Sequence, residues 1–239
     1  MTQKSHNNFD LSIRFTPDGF YLLVSDNGQQ ISSKKLHTDF NKLTETEIID
    51  LLGGQPELQM IFKSVRLIFQ TSNYTFVPAE FFNSTELATF LKLQHPNLNK
   101  SDALLFNKLE PWAAVNIFAV PAQLNKVLHN FLPETNIEHH LSILLTDDID
   151  MQNGKIIHIL TRNAEADFIV LNDNKLILAN TFETNTPEDV AYHAVNTVSQ
   201  LGFSSDECKV IVHGNEKPND IEVLLSNYFS NCVASILSF

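Results

Sequence analysis

Between residues 154 and 202, three short apolar runs lead into one amphipathic helix, and this order narrows the fold more than any other tract. The runs are IIHILTR (156–162), DFIVLND (167–173) and KLILANTF (175–182), each rich in Ile, Leu, Val or Phe and bounded by polar residues. That pattern predicts a meander of strands. Asn172-Asp173-Asn174 has the composition of a tight turn, because Asn and Asp tolerate left-handed backbone and bond their own main chain. The helix is predicted to start at Pro187, with Thr186 as N-cap and Glu188 and Asp189 at the positive end of the dipole. Val190, Ala191, Ala194, Val195, Val198 and Leu201 form its apolar stripe, and Gly202 its C-cap. CKVIVHG (208–214) then reads as a buried strand, 218–229 as a helix and 232–237 as a last strand.

The start of the chain repeats this plan. FYLLVSDN (20–27) aligns with DFIVLNDN (167–174) without a gap. Residues 9–16 alternate Phe9, Leu11, Ile13 and Phe15 with polar neighbours, a half-buried strand. Pro17-Asp18-Gly19 and Asn27-Gly28 are turns, and 30–37 a third strand near an edge. Thr44 with Glu47 forms a capping box for a helix that Gly53-Gly54 ends. Strands are predicted at 65–71, 74–77 and 114–120, with helices at 84–94, capped by Ser84, and 121–131. Residues 97–111 read as irregular, 137–139 as extended and 140–145 as helical. The polar stretch of Asp147, Asp148 and Asp150 with Gln152, Asn153 and Gly154 gives the boundary, dividing the chain into 1–150 and 151–239.

Composition excludes some roles. A net charge of −12 opposes nucleic acid as a main ligand, since phosphate binding needs a basic field. No apolar run reaches the roughly 18–20 residues that span a bilayer, and MTQKSHNNFD lacks a signal-peptide core. A cytoplasmic protein with Cys208 and Cys232 as free thiols is expected, and Asn73 and Asn83 are then accidental glycosylation matches. A metal-dependent nuclease would need clustered carboxylates, yet only Asp10 is placed for one, and the strand at 65–71 ends in Gln70 and Thr71. His139 and His140 point about 100° apart on a helix and rarely serve one ion. His158 and His213 sit in neighbouring predicted elements and can approach, either as satisfied strand histidines or as a site. Trp112, beside Pro111, reads either as core or as a partner surface.

A meander, helix, strand, helix, strand, present twice, resembles the ribonuclease H-like plan as duplicated in actin-like ATPases. The second half is most similar to the pilus-assembly, PilM-type actin-like proteins. In those, a strand ending in Asp-x-Gly is followed by a hairpin, two more strands and a helix that ends before a Leu-Gly pair. The corresponding text here is IIHILTRNAEADFIVLNDNKLILANTF and the helix end Gln200-Leu201-Gly202-Phe203. The whole chain also resembles an uncharacterised bacterial family with an actin-like ATPase fold. His139-His140, after a helix beginning Val120-Pro121, belongs to that second resemblance.

The resemblance implies an α/β fold of two ribonuclease H-like subdomains, each a mixed sheet with an antiparallel three-strand meander plus helices, facing across a cleft. Its members hold phosphates on Gly-bearing hairpins and magnesium near an Asp of each first strand. Here the second Asp-x-Gly slot falls on His158-Ile159-Leu160, and Asp10-Leu11-Ser12 is the nearest approach in the first half, with Asp10 too early. The adenosine-side Gly-Gly turn is reduced to His213-Gly214-Asn215, and none of the seven glycines forms a spaced Gly-rich loop. The expectation is a non-catalytic binding or scaffold protein with protein partners and no cofactor or metal. The alternative is a nucleotide-binding switch or weak ATPase taking ATP and magnesium in the cleft. Ser12, Arg14, His158, Arg162 and Gly214 are the candidate ligand-binding residues, and a different small ligand in the same cleft is the third reading.

Overall fold

A computed structural model of the chain describes residues 6–133, 135–149, 153–215 and 217–237, without the side chains of 6–8 and 148. Asp150 and Gln152, part of the expected boundary, lie outside these residues. The chain forms two compact units, Met1–Asp148 and Ile149–Ser238.

In the first unit, β1 (His6–Thr16), β2 (Gly19–Asp26) and β3 (Gln29–His37) form an antiparallel meander. Helix α1 (Glu45–Gly53) follows, started by the Thr44–Glu47 capping box. Strand β4 (Phe62–Phe69) then pairs in parallel with β1, and β8 (Ile137–His139) in parallel with β4, giving the order β3-β2-β1-β4-β8. Phe15, Phe20, Phe40 and Phe69 gather in its core, with the Phe15–Phe69 centroids 4.9 Å apart. Between β4 and β8 the chain adds β5 (Tyr74–Pro78), α2 (Leu87–Gln94), β6 (Ala103–Leu109), β7 (Ala114–Val120) and α3 (Ala122–Phe131). These strands form a separate antiparallel sheet, β5-β7-β6, whose Val77, Val115, Ile117 and Ala119 pack with Leu91 of α2. The short α4 (His140–Ile143) runs into a π-turn, Leu144–Asp148.

The second unit repeats the frame without the insertion. Strands β9 (Lys155–Arg162), β10 (Glu165–Asn172) and β11 (Lys175–Glu183) make the meander. Helix α5 (Pro187–Gln200), β12 (Cys208–Gly214), α6 (Asn219–Leu225) and β13 (Asn231–Ile236) complete it. The strand order is β11-β10-β9-β12-β13, the counterpart of the first sheet element for element. One face of this sheet packs against both helices. Ile157, Ile159, Ala166, Phe168, Val170, Val210 and Val212 meet Val190, Ala194 and Val198 of α5 and Leu225 of α6.

The two halves match down to an irregularity. In both meanders every hairpin has two turn residues. Pairing slips once between the second and third strands, after Val24 in one half and after Val170 in the other. The extra residue of the bulge is Ile31 in the first half and Ile177 in the second, and both are exposed. This match corrects the alignment by eye. Turn for turn, Phe20 corresponds to Ala166 and Val24 to Val170, so the gapless pairing of 20–27 with 167–174 is one residue out of step. Such a slip turns each side chain to the opposite face.

Two further expectations change. Residues 97–111 are not irregular throughout, since β6 occupies Ala103–Leu109. Helix α2 starts at Leu87 with Glu86 as its cap residue, because Asn83 holds the nitrogen of Thr85 at 3.1 Å and keeps Ser84 in a turn.

Candidate functional site

The core side of the second sheet takes the odd residues of β9 and the even residues of β10. The opposite side therefore presents Ile156, His158, Leu160 and Arg162 from β9, with Glu165 and Asp167 from β10 and His213 from β12. A buried sheet face that carries two imidazoles, a guanidinium and a carboxylate needs its polar groups satisfied.

The imidazoles satisfy each other. Register places His158 opposite Ile211 and Leu160 opposite His213, so the two histidines are diagonal neighbours on parallel strands. Nδ1 of His158 lies 2.9 Å from Nε2 of His213, and the rings stack with centroids 5.2 Å apart. One nitrogen donates and the other accepts, which requires at least one neutral ring. Burial drives both toward neutrality, lowering His158 to about 3, with the nearby His213 adding to the effect, and His213 to about 4. The hydroxyl of Thr161 donates to the His213 carbonyl at 3.0 Å, tying the two strands at this level.

Two residues further along β9, Arg162 donates from Nη2 to Asp167 Oδ1 at 2.7 Å, and its Nη1 lies 2.9 Å from Glu165. Asp167 is fully buried, and the Thr181 hydroxyl also donates to it, at 2.6 Å. Asp167 and Thr181 were not anticipated from the sequence. The available signal was an acid heading the apolar run FIVL, with an arginine five residues earlier across a two-residue turn.

The hairpin correspondence identifies the equivalent positions in the first unit. His158-Ile159-Leu160 corresponds to Ser12-Ile13-Arg14, not to Asp10-Leu11-Ser12. Neither triplet carries a carboxylate. Asp10 instead accepts a 2.6 Å hydrogen bond from Ser64 of β4. Arg14 is buried, its guanidinium 4.7 Å from the Tyr21 ring centroid, and burial pulls its pKa down. Lys35 reaches the same ring at 5.0 Å and Asp18 at 3.1 Å. Gly214 is the last residue of β12 and pairs with Ile236; its carbonyl accepts from Leu237 at 2.9 Å.

The five candidate residues thus fall into groups. Ser12 and Arg14 share one face of β1, His158 and Arg162 share one face of β9, and Gly214 ends the neighbouring strand. The structure joins His158 to His213 and Arg162 to Asp167, and the two groups on β9 remain separate hydrogen-bonded sets. Among the described residues no cluster of three or more His, Cys, Asp or Glu could hold a metal ion. His139 and His140 are both fully buried in the first unit. The ring of His139 contacts the Thr71 carbonyl at 3.0 Å, and that of His140 the Phe69 carbonyl at 3.3 Å. Trp112 is half-buried, its indole donating to the Leu145 carbonyl at 2.9 Å. Both cysteines are free, and burial pushes the Cys232 thiol up to about 11.

Two like-ordered mixed sheets, joined in one chain with an insertion in the first, are the actin-like ATPase fold. The chain is similar in structure to a protein from Bacteroides thetaiotaomicron VPI-5482 with an actin-like ATPase fold and unknown function. It shares 20% identity over 97% of this chain and 91% of that one, with a TM-score of 0.81. The chain belongs to the family described as protein of unknown function (DUF3822), which matches residues 1–232. The PilM–PilN type IV pilus biogenesis complex matches at 10% identity, covering 93% of this chain and 86% of that one, with a TM-score of 0.54. Ethanolamine utilization protein EutJ from Carboxydothermus hydrogenoformans matches at 9% identity, covering 98% and 87%, with a TM-score of 0.51. No curated protein matches the sequence. Among the described residues, no helix is long and apolar enough to cross a membrane.

Proposed function

We propose that this protein is a non-catalytic binding or scaffold protein that keeps the two-lobed actin-like frame and has lost the means to hold ATP and magnesium. The observation that carries this reading is the replacement of the Asp-x-Gly slot in both halves. In the second half a neutral imidazole pair and the fully buried side chain of Leu160 stand there. In the first half the same positions carry Ser12 and Arg14. Magnesium prefers carboxylate and water oxygen ligands, and neutral nitrogen held in a hydrogen bond is a poor substitute. The one carboxylate at the core of the second set, Asp167, is already bonded to Arg162 and Thr181. The residues do not fit the metal–nucleotide pair, and no catalytic step is assigned to them.

A binding role is supported by the likeness to the PilM–PilN type IV pilus biogenesis complex, a complex of two proteins. A cytoplasmic protein partner is the corresponding proposal here. Thermal unfolding with and without millimolar ATP and magnesium tests the loss of the nucleotide site. The midpoint is expected to stay constant, whereas a ligand bound to the native state at a hundred times its Kd would add about 2.7 kcal/mol. A clear, concentration-dependent rise would return the protein to the class of nucleotide-dependent switches.

A further inference from the structure

Helices α5 and α6 lie side by side on one face of the second sheet, and a groove of about 420 Å³ opens between them. Its walls come from Glu188, Tyr192, Val195 and Ser199 of α5, with Leu224 and Tyr228 from α6 and the turn after it. Tyr192 is 66% exposed, Tyr228 50% and the neighbouring Val223 69%. Two tyrosines and aliphatic side chains left open in a concave site are the composition of an interface core rather than of a solvated helix surface.

The charged side chains of the two helices have one sign. The sequences of the two helices, PEDVAYHAVNTVSQ and NDIEVLL, contain four carboxylates, Glu188, Asp189, Asp220 and Glu222, and no Lys or Arg. Helix α5 leads into β12 and α6 leaves it for β13, which is parallel to β12, so the helices run in the same direction. Glu188, in the first turn of α5, lines the groove, and Asp220 lies in the first turn of α6, one turn before the groove residue Leu224. Asp189 is engaged by the backbone nitrogens of Asn185 and Thr186, and Lys217 lies in the loop ahead of α6.

We propose that the α5–α6 groove is a docking site for a short apolar segment of a partner protein that carries Lys or Arg at one end. The apolar side chains would fill the space between Tyr192 and Tyr228, and the base would meet Glu188, the carboxylate that lines the groove. A second copy of this chain is the poorer occupant, because a protein of net charge −12 sets acids against this acidic end. The inference deepens the binding-protein reading and rests on it for the need of a partner.

The test uses a displayed library of random linear peptides, long enough for a short helix, selected on the full-length protein. Enriched peptides are then measured by titration against wild type, Tyr192→Ala, Tyr228→Ala and Glu188→Lys. The proposal expects peptides with aromatic or aliphatic residues next to Lys or Arg, and at least about tenfold weaker binding to each variant. The unfolding midpoints of Tyr192→Ala and Tyr228→Ala, recorded alongside, are expected to match wild type because both side chains border open solvent, and that of Glu188→Lys to fall only slightly, from a cation at the positive end of the α5 dipole. Enrichment of acidic or uncharged peptides, equal binding to wild type and variants, self-association through this face or no enrichment each overturns the groove assignment. None of these outcomes touches the nucleotide measurement, so the two readings fail separately.

Discussion

Gly19 occupies a place that no other residue can take. Its φ is +147°, and a Cβ built there would lie 1.9 Å from the Leu36 carbonyl oxygen, on the neighbouring strand rather than on a movable side chain. Gly28, at φ +79°, has open space around the same position. Gly19→Ala is therefore expected to destabilise by more than about 2 kcal/mol, and Gly28→Ala by about 1 kcal/mol, measured by denaturant titration. Equal effects would contradict the close approach. Arg162 faces a different constraint, the buried Asp167. Arg162→Met leaves that carboxylate without its guanidinium, at a cost of about 3–5 kcal/mol. A loss under about 1 kcal/mol, by the same titration, would show that the ion pair does not carry the site. The histidine pair gives a pH signature. Both folded values, about 3 and about 4, lie below the unfolded value of about 6.5, so the unfolded chain binds more protons in between. The stabilisation is complete above about pH 6.5 and is lost as pH falls toward the folded values, by up to about 1.4 kcal/mol per pH unit for each imidazole. His213→Gln should flatten the decline between pH 6.5 and 5 relative to wild type. An unchanged slope would mean that the pair is not buried neutral. From the sequence, the approach of His158 to His213 was open but its state was not, because neutrality comes from the burial of both strands and not from the residue type.

Elements read well where both ends were punctuated. The strands Ala114–Val120 and Cys208–Gly214 match the expected ranges to the residue, each an apolar run between polar or Pro/Gly boundaries. Helix α5 starts where Thr186 and Pro187 predicted, with the capping box Thr186–Asp189 formed in full. Thr186→Ala is expected to cost about 1 kcal/mol in stability by chemical denaturation, and no measurable loss would indicate that packing of α5 alone fixes its start. Strand β6 was missed because ALLFNKL is half-exposed along most of its length and sits between Asn-Lys-Ser-Asp and Glu-Pro, so neither alternation nor flanks mark it. The register slip of the internal repeat has a similar origin. Strand β10 is buried on both faces from Ala166 to Leu171, so its sequence has no period-two phase to align with the alternating β2. Phase was supplied only by the pairing, through the bulges at Ile31 and Ile177. Asp10 already read as too early for the first-half slot, and the pairing sets that slot at Ser12, two residues later.

Over the whole molecule, the duplicated frame was legible because element order survives when individual residues do not. The functional site was less so. The two histidines, Arg162, Asp167 and Thr181 are spread over four strands, and their side chains meet only in the folded sheet. The α5–α6 groove was invisible for the same reason, since Tyr192 on α5 and Tyr228 in the turn after α6 lie in two segments that read as ordinary amphipathic helices. The central claim, an actin-like frame without its nucleotide, concerns the molecule as a whole and is tested most directly by titration calorimetry of ATP with magnesium into the full-length protein. Only heats of dilution are expected up to millimolar nucleotide. A saturable one-site isotherm with a Kd below that range, abolished by removing magnesium, would contradict it.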